Sequence, residues 1–270
     1  MVPRQVRVLS IWAGLVVLAL GGGIFLASRV WSLRGQRGVV LATPDRAETF
    51  NGSALTVGTY NIHRARGTDG RRDLRRIAGI ISGCDIVALQ EVEGPRPGSG
   101  HNQAWHLGRW LRLAVHFAPS RKLFFFPHRG NALLCRFPVS HWQRLALFPS
   151  TGRAHRNLTV YQVDLAGSPV HILNTHLSKP AEGTSPFEAV MSAFGQYPRA
   201  ILLGDFNAPM DHPVMRRWLP PDTVDALADA GFDPMRVDMV LIRGLSVDEA
   251  WSSPIGPSDH PFFAVRLRLQ

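Results

Sequence analysis

Two hydrophobic patterns divide the chain. Residues 8–28 contain no charged side chain, whereas from Ala54 onward short apolar runs alternate with polar loops. Short apolar runs bounded by turn residues are typical of β-strands, and apolar residues three or four positions apart are typical of amphipathic helices. The runs that predict strands are 55–60, 85–90, 132–135, 158–165, 170–175, 199–204, 237–242 and 262–269.

Two segments of the second part show helical spacing. Residues 72–82 place Leu74, Ile77 and Ile81 on one face, and residues 102–113 form a second predicted helix. The unbroken apolar run at 85–90 predicts a strand buried on both faces. Many strands and few helices imply a layered α/β or α+β domain. We therefore assign residues 54–270 to a single domain.

The uncharged run at 8–28 is long enough to cross a bilayer. As a helix rising 1.5 Å per residue it would span roughly 31 Å, which matches the hydrocarbon thickness of a membrane. Trp12 and Trp31 lie near its two ends, where interfacial aromatic residues are expected. We expect residues 1–34 to form an N-terminal transmembrane anchor that contacts the membrane through residues 8–28. Residues 35–53, rich in turn residues, are then a linker.

Other interpretations of this run stay open. A buried core helix fits poorly, because the run has no amphipathic face. A cleaved signal peptide would make the protein secreted, but 26–28 is a poor cleavage site and the better one at 40–42 lies far beyond the apolar run. Arg4 and Arg7 precede the run and Arg29, Arg34 and Arg37 follow it, so the positive-inside rule hardly discriminates. The extracytoplasmic side is slightly favoured.

Composition adds one indication about partners. The 270 residues carry a net charge of +10, and the sequence pI is about 11.0. Such a charge indicates an anionic partner, namely nucleic acid, an anionic membrane surface or a phosphate-bearing substrate. The five arginines that flank the uncharged run account for half of the excess, so the predicted domain is only mildly basic. Two cysteines exclude a disulfide scaffold and a cysteine-rich zinc module.

Five short polar fragments stand beside the predicted strands, and we expect each to follow an apolar strand. They are TYNIH (59–63), LQE (89–91), NTHL (174–177), GDFN (204–207) and SDH (258–260). Taken singly, each is an ordinary turn residue, helix cap or surface charge. Together, at one rim of a sheet, they supply oxygen ligands that suit Mg²⁺ or Mn²⁺. They also supply imidazole beside carboxylate, which suits activation of water.

The ordered set resembles the endonuclease/exonuclease/phosphatase superfamily, which includes pancreatic-type deoxyribonucleases, AP endonucleases, inositol polyphosphate 5-phosphatases and bacterial sphingomyelinases. The resemblance covers about residues 55–269. It is carried by TYNIH, DIVALQEV, GNALLCRFP, NTHLS, ILLGDFNA, RVDMVLI and SDHPFFAVRL. It implies a four-layer α/β (α+β) sandwich with two packed β-sheets flanked by helices. It also implies hydrolysis of a phosphoester by in-line attack of water, with Mg²⁺ or Mn²⁺ as cofactor.

The resemblance assigns catalytic roles to five residues. Asp205 matches the carboxylate that orients or activates the water, and Asn207 matches the amide that holds the phosphoryl oxygens. His260 matches the catalytic imidazole, and Asp238 matches the carboxylate that orients its ring. His176 matches a second imidazole that contacts the scissile phosphate.

The resemblance also assigns a metal site. Glu91 matches the principal ligand, Asn61 the residue that positions it, and Asp259 a neighbouring residue that can ligate metal. We expect further contacts to the substrate phosphate from His63, Arg64 and Arg66.

Two basic segments leave alternatives open. Residues 64–76 contain six arginines, which form either a patch for an anionic substrate or lipid headgroup, or the solvated face of a helix. Residues 121–129 surround three phenylalanines that form either a membrane-touching or base-stacking loop, or part of the core, which we favour. Cys135, where the family commonly has Ser, is expected to be a buried small residue. The segment between Asn207 and Asp238 is short, which puts the substrate class in doubt.

The sequence thus predicts a membrane-tethered, monomeric, metal-dependent phosphoester hydrolase. A lipid substrate suits the anchor, whereas a secreted or tethered nuclease acting on DNA or RNA suits the charge. A catalytically inactive binding module is disfavoured, because it would have lost some of the acidic, amide and imidazole residues named above.

Overall fold

The computed structural model describes residues 4–30, 35–39, 41, 50, 52–95, 100–123, 126–148 and 155–269. Within these ranges the side chains of 4–9, 26–30, 39, 121–123 and 126–127 are not described. The three phenylalanines of the predicted loop therefore lie outside the described side chains.

Polar caps set the start of the two helices that the sequence predicted within the domain. The side chain of Asp73 accepts a hydrogen bond from the backbone N–H of Arg75, and that of Asn102 accepts one from Trp105. Such caps satisfy N–H groups that have no partner within the helix. The described helices are α1 (Arg4–Val30), α2 (Leu74–Ile81), α3 (Gln103–Leu111), α4 (Ser185–Gly195), α5 (Pro213–Trp218) and α6 (Ala226–Asp229).

The eight predicted strands are present, and further strands complete the sheets. The apolar run at 85–90 forms a strand whose residues 86–90 are all buried, as predicted. The strands are β1 (Gln36–Val39), β2 (Ala54–Asn61), β3 (Ile86–Glu93), β4 (Ala114–Leu123), β5 (Phe126–Cys135), β6 (Val139–Leu147), β7 (Arg156–Leu165), β8 (Ser168–His176), β9 (Ala200–Asp205), β10 (Val224–Asp225), β11 (Asp238–Arg243), β12 (Leu245–Ser253) and β13 (Phe262–Leu269).

The strands form two mixed sheets that pack face to face. One has the order β1-β6-β7-β8-β9-β11-β10 and the other β12-β13-β2-β3-β5-β4. Apolar residues of both inner faces, among them Val57, Leu133 and Ile172, form the central core. Phe187 and Met215 of α4 and α5 cover the seven-stranded sheet, and α2 and α3 cover the six-stranded sheet. The predicted arrangement of two packed sheets flanked by helices is confirmed.

The sheet pairing brings the polar fragments to one edge. β2 and β3 run parallel, as do β8 and β9, so their carboxyl ends lie together. β5, β7, β11 and β13 run antiparallel to these strands, so their amino ends lie at the same edge. We call this edge the site rim. The fragment 258–260 belongs to it by preceding β13, which corrects the expectation that each fragment follows a strand.

The N-terminal part differs in one respect from the prediction. Residues 36–39, inside the predicted linker, form β1, which pairs antiparallel with β6 at the edge of the seven-stranded sheet. Leu41 and Phe50 are also buried in the central core. This short strand has no apolar alternation of its own and gains its backbone hydrogen bonds from β6. Within the predicted linker, residues 36–39, Leu41 and Phe50 therefore pack on the domain.

The uncharged run at 8–28 lies within α1. Ile11, Trp12, Val17 and Leu18 are all more than 60% exposed on this helix. Among the described residues, no helix combines the length and the apolar character needed to cross a membrane.

Candidate active site

A hydrogen bond between Asp238 and His260 lies at the centre of the site rim. Asp238 is the first residue of β11, and His260 stands two residues before β13. His260 Nδ1 lies 2.8 Å from Asp238 Oδ2. On the other side of the ring, Nε2 lies 3.8 Å from Asp205 Oδ2. The buried carboxylate thus fixes the orientation of the imidazole and directs its second nitrogen at Asp205.

Asp205 is held from two directions at the end of β9. Its Oδ2 accepts a hydrogen bond from Asn61 Nδ2 at 3.0 Å, and its Oδ1 accepts one from the backbone N–H of Asn207 at 2.9 Å. In the sheet, Asp205 is paired with His176 of β8 and with Asp238 of β11. The Asp205 carboxylate is almost completely buried, and its two hydrogen bonds fix it in a single orientation.

A hydrogen bond between Asn61 and Ser258 closes one end of the six-stranded sheet at the rim. Ser258 Oγ donates a buried hydrogen bond of 2.6 Å to the carbonyl oxygen of Asn61, which holds the loop before β13 against the end of β2. Asn61 Nδ2 also lies 3.5 Å from His260 Nε2. Asn61 thus contacts both Asp205 and His260.

His176 and Asn207 form the second side of the site. Asn207 Nδ2 donates to the carbonyl oxygen of Leu177 at 2.8 Å and lies 3.3 Å from His176 Nε2. His176 Nε2 in turn lies 3.4 Å from Asp205 Oδ2. The structure therefore brings together all five residues that the resemblance names as catalytic.

Glu91 stands at a β-bulge near the end of β3. The register with β5 shifts between Leu89 and Val92, and Glu91 has a positive φ of 54°. The bulge turns the carboxylate toward Arg129 of β5, whose Nη1 lies 3.2 Å from Glu91 Oε2. Bulges next to active sites commonly re-aim a side chain in this way.

Left-handed backbone conformations concentrate at the rim. Among the described residues, seven other than glycine have a positive φ, and five of them lie in the polar fragments or directly beside them: His63, Arg64, Ala65, Glu91 and Asn207. Each such residue costs free energy that the surrounding structure must offset. This concentration is typical of a site whose geometry is selected for chemistry.

The remaining predicted phosphate and metal residues form a chain of contacts. His63 Nδ1 lies 3.4 Å from Asp259 Oδ2, and His63 Nε2 lies 3.3 Å from Arg64 Nη2. Arg66 is exposed and pairs through its backbone with Arg72, so it does not take part in this series of contacts. The structure thus brings His63, Arg64 and Asp259 together, and it leaves Arg66 apart from them.

The carboxylates and imidazoles shift one another's pKa. Burial lowers the pKa of His260, but the hydrogen bond to Asp238 and the charges of Asp238, Asp205 and Asp259 outweigh it and raise the pKa to about 9. Burial and the charge of Asp238 raise the pKa of Asp205 to about 6. Burial, with the charges of Arg156, His260 and Arg129, holds the pKa of His176 well below its usual value. At neutral pH the site therefore contains a protonated His260, an ionised Asp205 and a neutral His176.

The donor atoms of the rim fit a divalent cation. Asp205, Asp238 and His260 offer ligand atoms within 4.8 Å of one another, which makes them a candidate metal site. Asp238 Oδ1 is buried and has no hydrogen-bond partner among the described residues. The carboxylates and amides of the rim are hard oxygen donors of the kind that Mg²⁺ and Mn²⁺ prefer.

Two arginines at the rim were not predicted. Arg156 begins β7, and its Nε donates to Ser178 Oγ at 3.1 Å. Burial lowers the pKa of Arg156, while the charges of Asp205 and Glu91 oppose that change. Arg129 pairs with Glu91 as described above. Both lie a few residues before apolar runs, in HRN (155–157) and RGN (129–131), and this position is the sequence signal that could have pointed to them, although it does not show which way the strands run.

The family of the chain follows from a comparison of its sequence with models of known families. The model described as "Endonuclease/Exonuclease/phosphatase family" matches residues 58–260, three quarters of the chain. The chain belongs to this family. Members of the endonuclease/exonuclease/phosphatase family are generally hydrolases that act on phosphoesters. The matched segment includes Asn61, Glu91, Asp205 and His260.

One curated protein is similar to the chain in sequence, and two solved structures are similar to it in fold. The uncharacterized protein YbhP of Escherichia coli K12 is 25% identical over 185 residues, which cover 61% of this chain and 70% of YbhP. The endonuclease/exonuclease/phosphatase from Beutenbergia cavernae superposes with a TM-score of 0.65 at 24% identity, over 81% of this chain and 72% of that chain. Truncated TDP2 from Caenorhabditis elegans superposes with a TM-score of 0.59 at 20% identity, over 80% of this chain and 97% of that chain. The two solved structures show that the fold is shared.

Proposed function

We propose that the protein is a divalent-metal-dependent phosphoester hydrolase that acts by in-line attack of water. The observation that supports this most directly is the line of contacts from Asp238 through His260 to Asp205. It holds a proton donor and a carboxylate base 3.8 Å apart at the site rim. Placing an acid and a base on one reacting group is the arrangement that general acid–base catalysis requires.

The two members of this pair have different roles. Asp205 is ionised above about pH 6, so it orients the attacking water and accepts its proton. His260 stays protonated below about pH 9, so its Nε2–H stabilises negative charge that develops on the phosphoryl group. Asp238 keeps the ring in place and favours its charged form.

The second side of the site would hold the phosphoryl oxygens. Asn207 offers an amide and Arg156 a guanidinium beside the neutral imidazole of His176. Charge neutralisation by fixed donors is the main requirement of phosphoryl transfer, because the reaction needs little covalent assistance. Removal of any one of these donors is expected to reduce the rate more than the stability.

Glu91, Asn61 and Asp259 would hold the cation on the oxygen-rich side of the rim. We assign Asp205, Asp238 and His260, whose ligand atoms lie within 4.8 Å of one another, to proton transfer, because His260 is hydrogen-bonded to Asp238 through Nδ1 and directs Nε2 at Asp205. When bound, a divalent cation of this kind neutralises charge on the phosphoryl oxygens and polarises the attacking water.

The test is hydrolysis by the purified full-length chain with Mg²⁺, with Mn²⁺ and with EDTA. The panel comprises bis(p-nitrophenyl) phosphate, single- and double-stranded DNA, phospholipid vesicles and inositol phosphates. We expect metal-dependent turnover of at least one substrate class, and we expect Asp205→Asn and His260→Ala to lose it. Asp248→Asn, which changes an exposed carboxylate on β12, is the control and should retain it. Wild-type turnover by Asp205→Asn, or inactivity of the wild type with every metal and substrate, would overturn the proposal.

We also propose that α1 attaches the domain to a membrane. The support is the absence of charge from residues 8–28 and the exposure of apolar side chains on this helix, such as Trp12 and Leu18. A helix that is apolar on all sides needs an apolar environment. We expect the full-length chain to float with phosphatidylglycerol vesicles, and Leu18→Glu combined with Val17→Glu to reduce this. Equal flotation of the wild type and of this double variant would contradict the proposal.

A further inference from the structure

Aromatic rings and guanidinium groups alternate along the outer side of α3. The rings of His101 and Trp105 stack in parallel with their centroids 3.6 Å apart, and the guanidinium of Arg109 lies 5.1 Å from the Trp105 ring. Further along the helix, Trp110 is 42% exposed, and the guanidinium of Arg75 from α2 lies 4.9 Å from its ring. We call these five residues the α3 face. The proposed hydrolysis does not use any of them.

The α3 face points away from the core, because the opposite side of the helix is buried. Ala104 and Leu107 pack in the cluster that covers the six-stranded sheet. The exposed side of such a helix is ordinarily polar, so tryptophan among arginines here indicates a surface that contacts something else. Tryptophan has an apolar body and a polar N–H group, which suits a boundary between water and an apolar phase.

The charge around α3 is of one sign. Residues 94–163 contain nine arginines, one lysine and no aspartate or glutamate, and neither α2 nor α3 contains an acidic residue. Arg75, Arg109 and Arg112 are exposed. The carboxylate of Asp73, just before α2, caps that helix by accepting a hydrogen bond from the backbone N–H of Arg75. The α3 face therefore complements a negatively charged surface.

The stacking within the α3 face favours lipid over nucleic acid as that surface. His101 precedes Trp105 by four residues and Arg109 follows it by four, so the two approach the ring from opposite directions along the helix. A nucleic acid base would need a free ring face on which to stack. A bilayer interface does not need one, because it accommodates the indole ring at the level of the headgroups.

We infer that the α3 face docks on an anionic phospholipid surface, with its arginines on the lipid phosphates and its tryptophans among the headgroups. The inference rests on the proposed attachment of α1, whose exposed apolar side chains need an apolar environment and which contacts β4, as α3 does. Gln103 at the start of α3 donates to the carbonyl oxygen of Arg64 at 2.9 Å. Docking would therefore fix the orientation of the site rim relative to the membrane.

The direct test places a fluorescent label on each side of the domain. Cys84 and Cys135 are buried, so the environment-sensitive fluorophore NBD can be attached selectively to Arg112→Cys, beside the α3 face, or to Arg217→Cys on α5. With full-length protein on phosphatidylglycerol vesicles, we expect emission to rise at least about twofold for the first label and little for the second. Equal emission changes on vesicle-bound protein would overturn this inference alone. A wild type that does not bind vesicles would overturn the attachment by α1 as well.

Variants without charge complete the test in the α1 double variant described above, in which contact through α1 is weakened. We expect Arg75→Gln combined with Arg109→Gln to lower the affinity for phosphatidylglycerol vesicles by at least about tenfold. Arg216→Gln combined with Arg217→Gln removes the same charge from α5 and should keep the affinity. Equal losses in the two pairs would overturn the inference.

Single-stranded DNA is the competing ligand in the same assay. We expect the label on Arg112→Cys to respond more strongly to phosphatidylglycerol vesicles than to DNA. A stronger response to DNA would assign the α3 face to nucleic acid and overturn the lipid inference.

Discussion

Asp238 Oδ2 and His260 Nδ1 lie 2.8 Å apart, although the two residues belong to different sheets. Asp238 begins β11 of the seven-stranded sheet, and His260 precedes β13 of the six-stranded sheet. Packing of the sheets is therefore what creates the pair. A change that alters how the sheets meet would affect the site even if every site residue were retained.

Asp238→Asn tests the role of this hydrogen bond. An amide cannot stabilise a protonated ring as a carboxylate does, so His260 would lose both its orientation and its charged form at neutral pH. We expect kcat to fall by about 10²- to 10⁴-fold with little change in the circular dichroism spectrum. Asp248→Asn serves as the control, because its carboxylate lies on the exposed side of β12. A normal kcat in Asp238→Asn would remove the residue from the mechanism.

The dependence of kcat/KM on pH follows from the two opposed pKa shifts. Asp205 must be ionised to accept a proton, so activity rises as the pH passes through about 6. His260 must be protonated to donate, so activity falls as the pH passes through about 9. Profiles of the wild type should therefore be bell-shaped. In Asp238→Asn the alkaline limb should move to lower pH, and an alkaline limb that stays in place would contradict this assignment.

The strands and most of the site could be predicted from the sequence for one physical reason. Buried strands need continuous apolar runs, and the polar residues that end such runs, as Asn61 and Asp205 do, are visible in a single chain. Parallel pairing of β2 with β3 and of β8 with β9 then brings these strand ends to the same edge. The layered fold class and the polar fragments at the rim were accessible in this way, whereas the roles of the site residues came from the resemblance to the family.

The remaining features depend on pairing between distant segments. Arg129 and Arg156 reach the rim because β5 and β7 run antiparallel to their neighbours, and nothing in their local sequence states that direction. β1 was missed because its backbone hydrogen bonds come from β6 rather than from a pattern of its own. Ser258 was noted within SDH, but its bond to the carbonyl of Asn61 is a contact across 197 residues.

Glu91→Gln tests the metal side of the site. Replacing a carboxylate by an amide removes the charge that attracts the cation, so we expect Mn²⁺ affinity to fall by at least about tenfold. Electron paramagnetic resonance of free Mn²⁺ during a titration measures this without substrate. Glu249→Gln is the matched control, because that carboxylate is exposed on β12. Equal affinities of Glu91→Gln and the wild type would place the cation elsewhere.

A buried amide pair beneath the site joins the two sheets. Gln90 Nε2 of β3 donates to Asn174 Oδ1 of β8 at 3.1 Å, and Asn174 Nδ2 donates to the carbonyl oxygen of Ala132 at 2.8 Å. Asn174→Ala would leave these partners unsatisfied and should lower the free energy of unfolding by about 2–3 kcal/mol in urea titrations. The exposed Gln196→Ala should change it very little. A stable Asn174→Ala protein would show that the pair does not hold the sheets together.

Gly204 fixes the position of Asp205, and its replacement should separate a backbone effect from a chemical one. Gly204 has a φ of +152°, and a Cβ there would lie 2.1 Å from the carbonyl oxygen of Thr175 on β8. Because that oxygen belongs to the backbone of a paired strand, β8 and β9 must move apart to admit a methyl group. We expect Gly204→Ala to lose about 2–4 kcal/mol of unfolding free energy and to lower kcat, since Asp205 is the next residue.

Gly79→Ala is the matched control for this substitution. Gly79 lies in α2 with no atom within 4 Å of the added methyl group, so the same change should stabilise the protein by about 0.5–1 kcal/mol through helix propensity. Opposite signs for the two variants in urea titrations are the expected result. If Gly204→Ala kept both the unfolding free energy and the kcat of the wild type, the approach of β8 to β9 would not set the position of the Asp205 carboxylate.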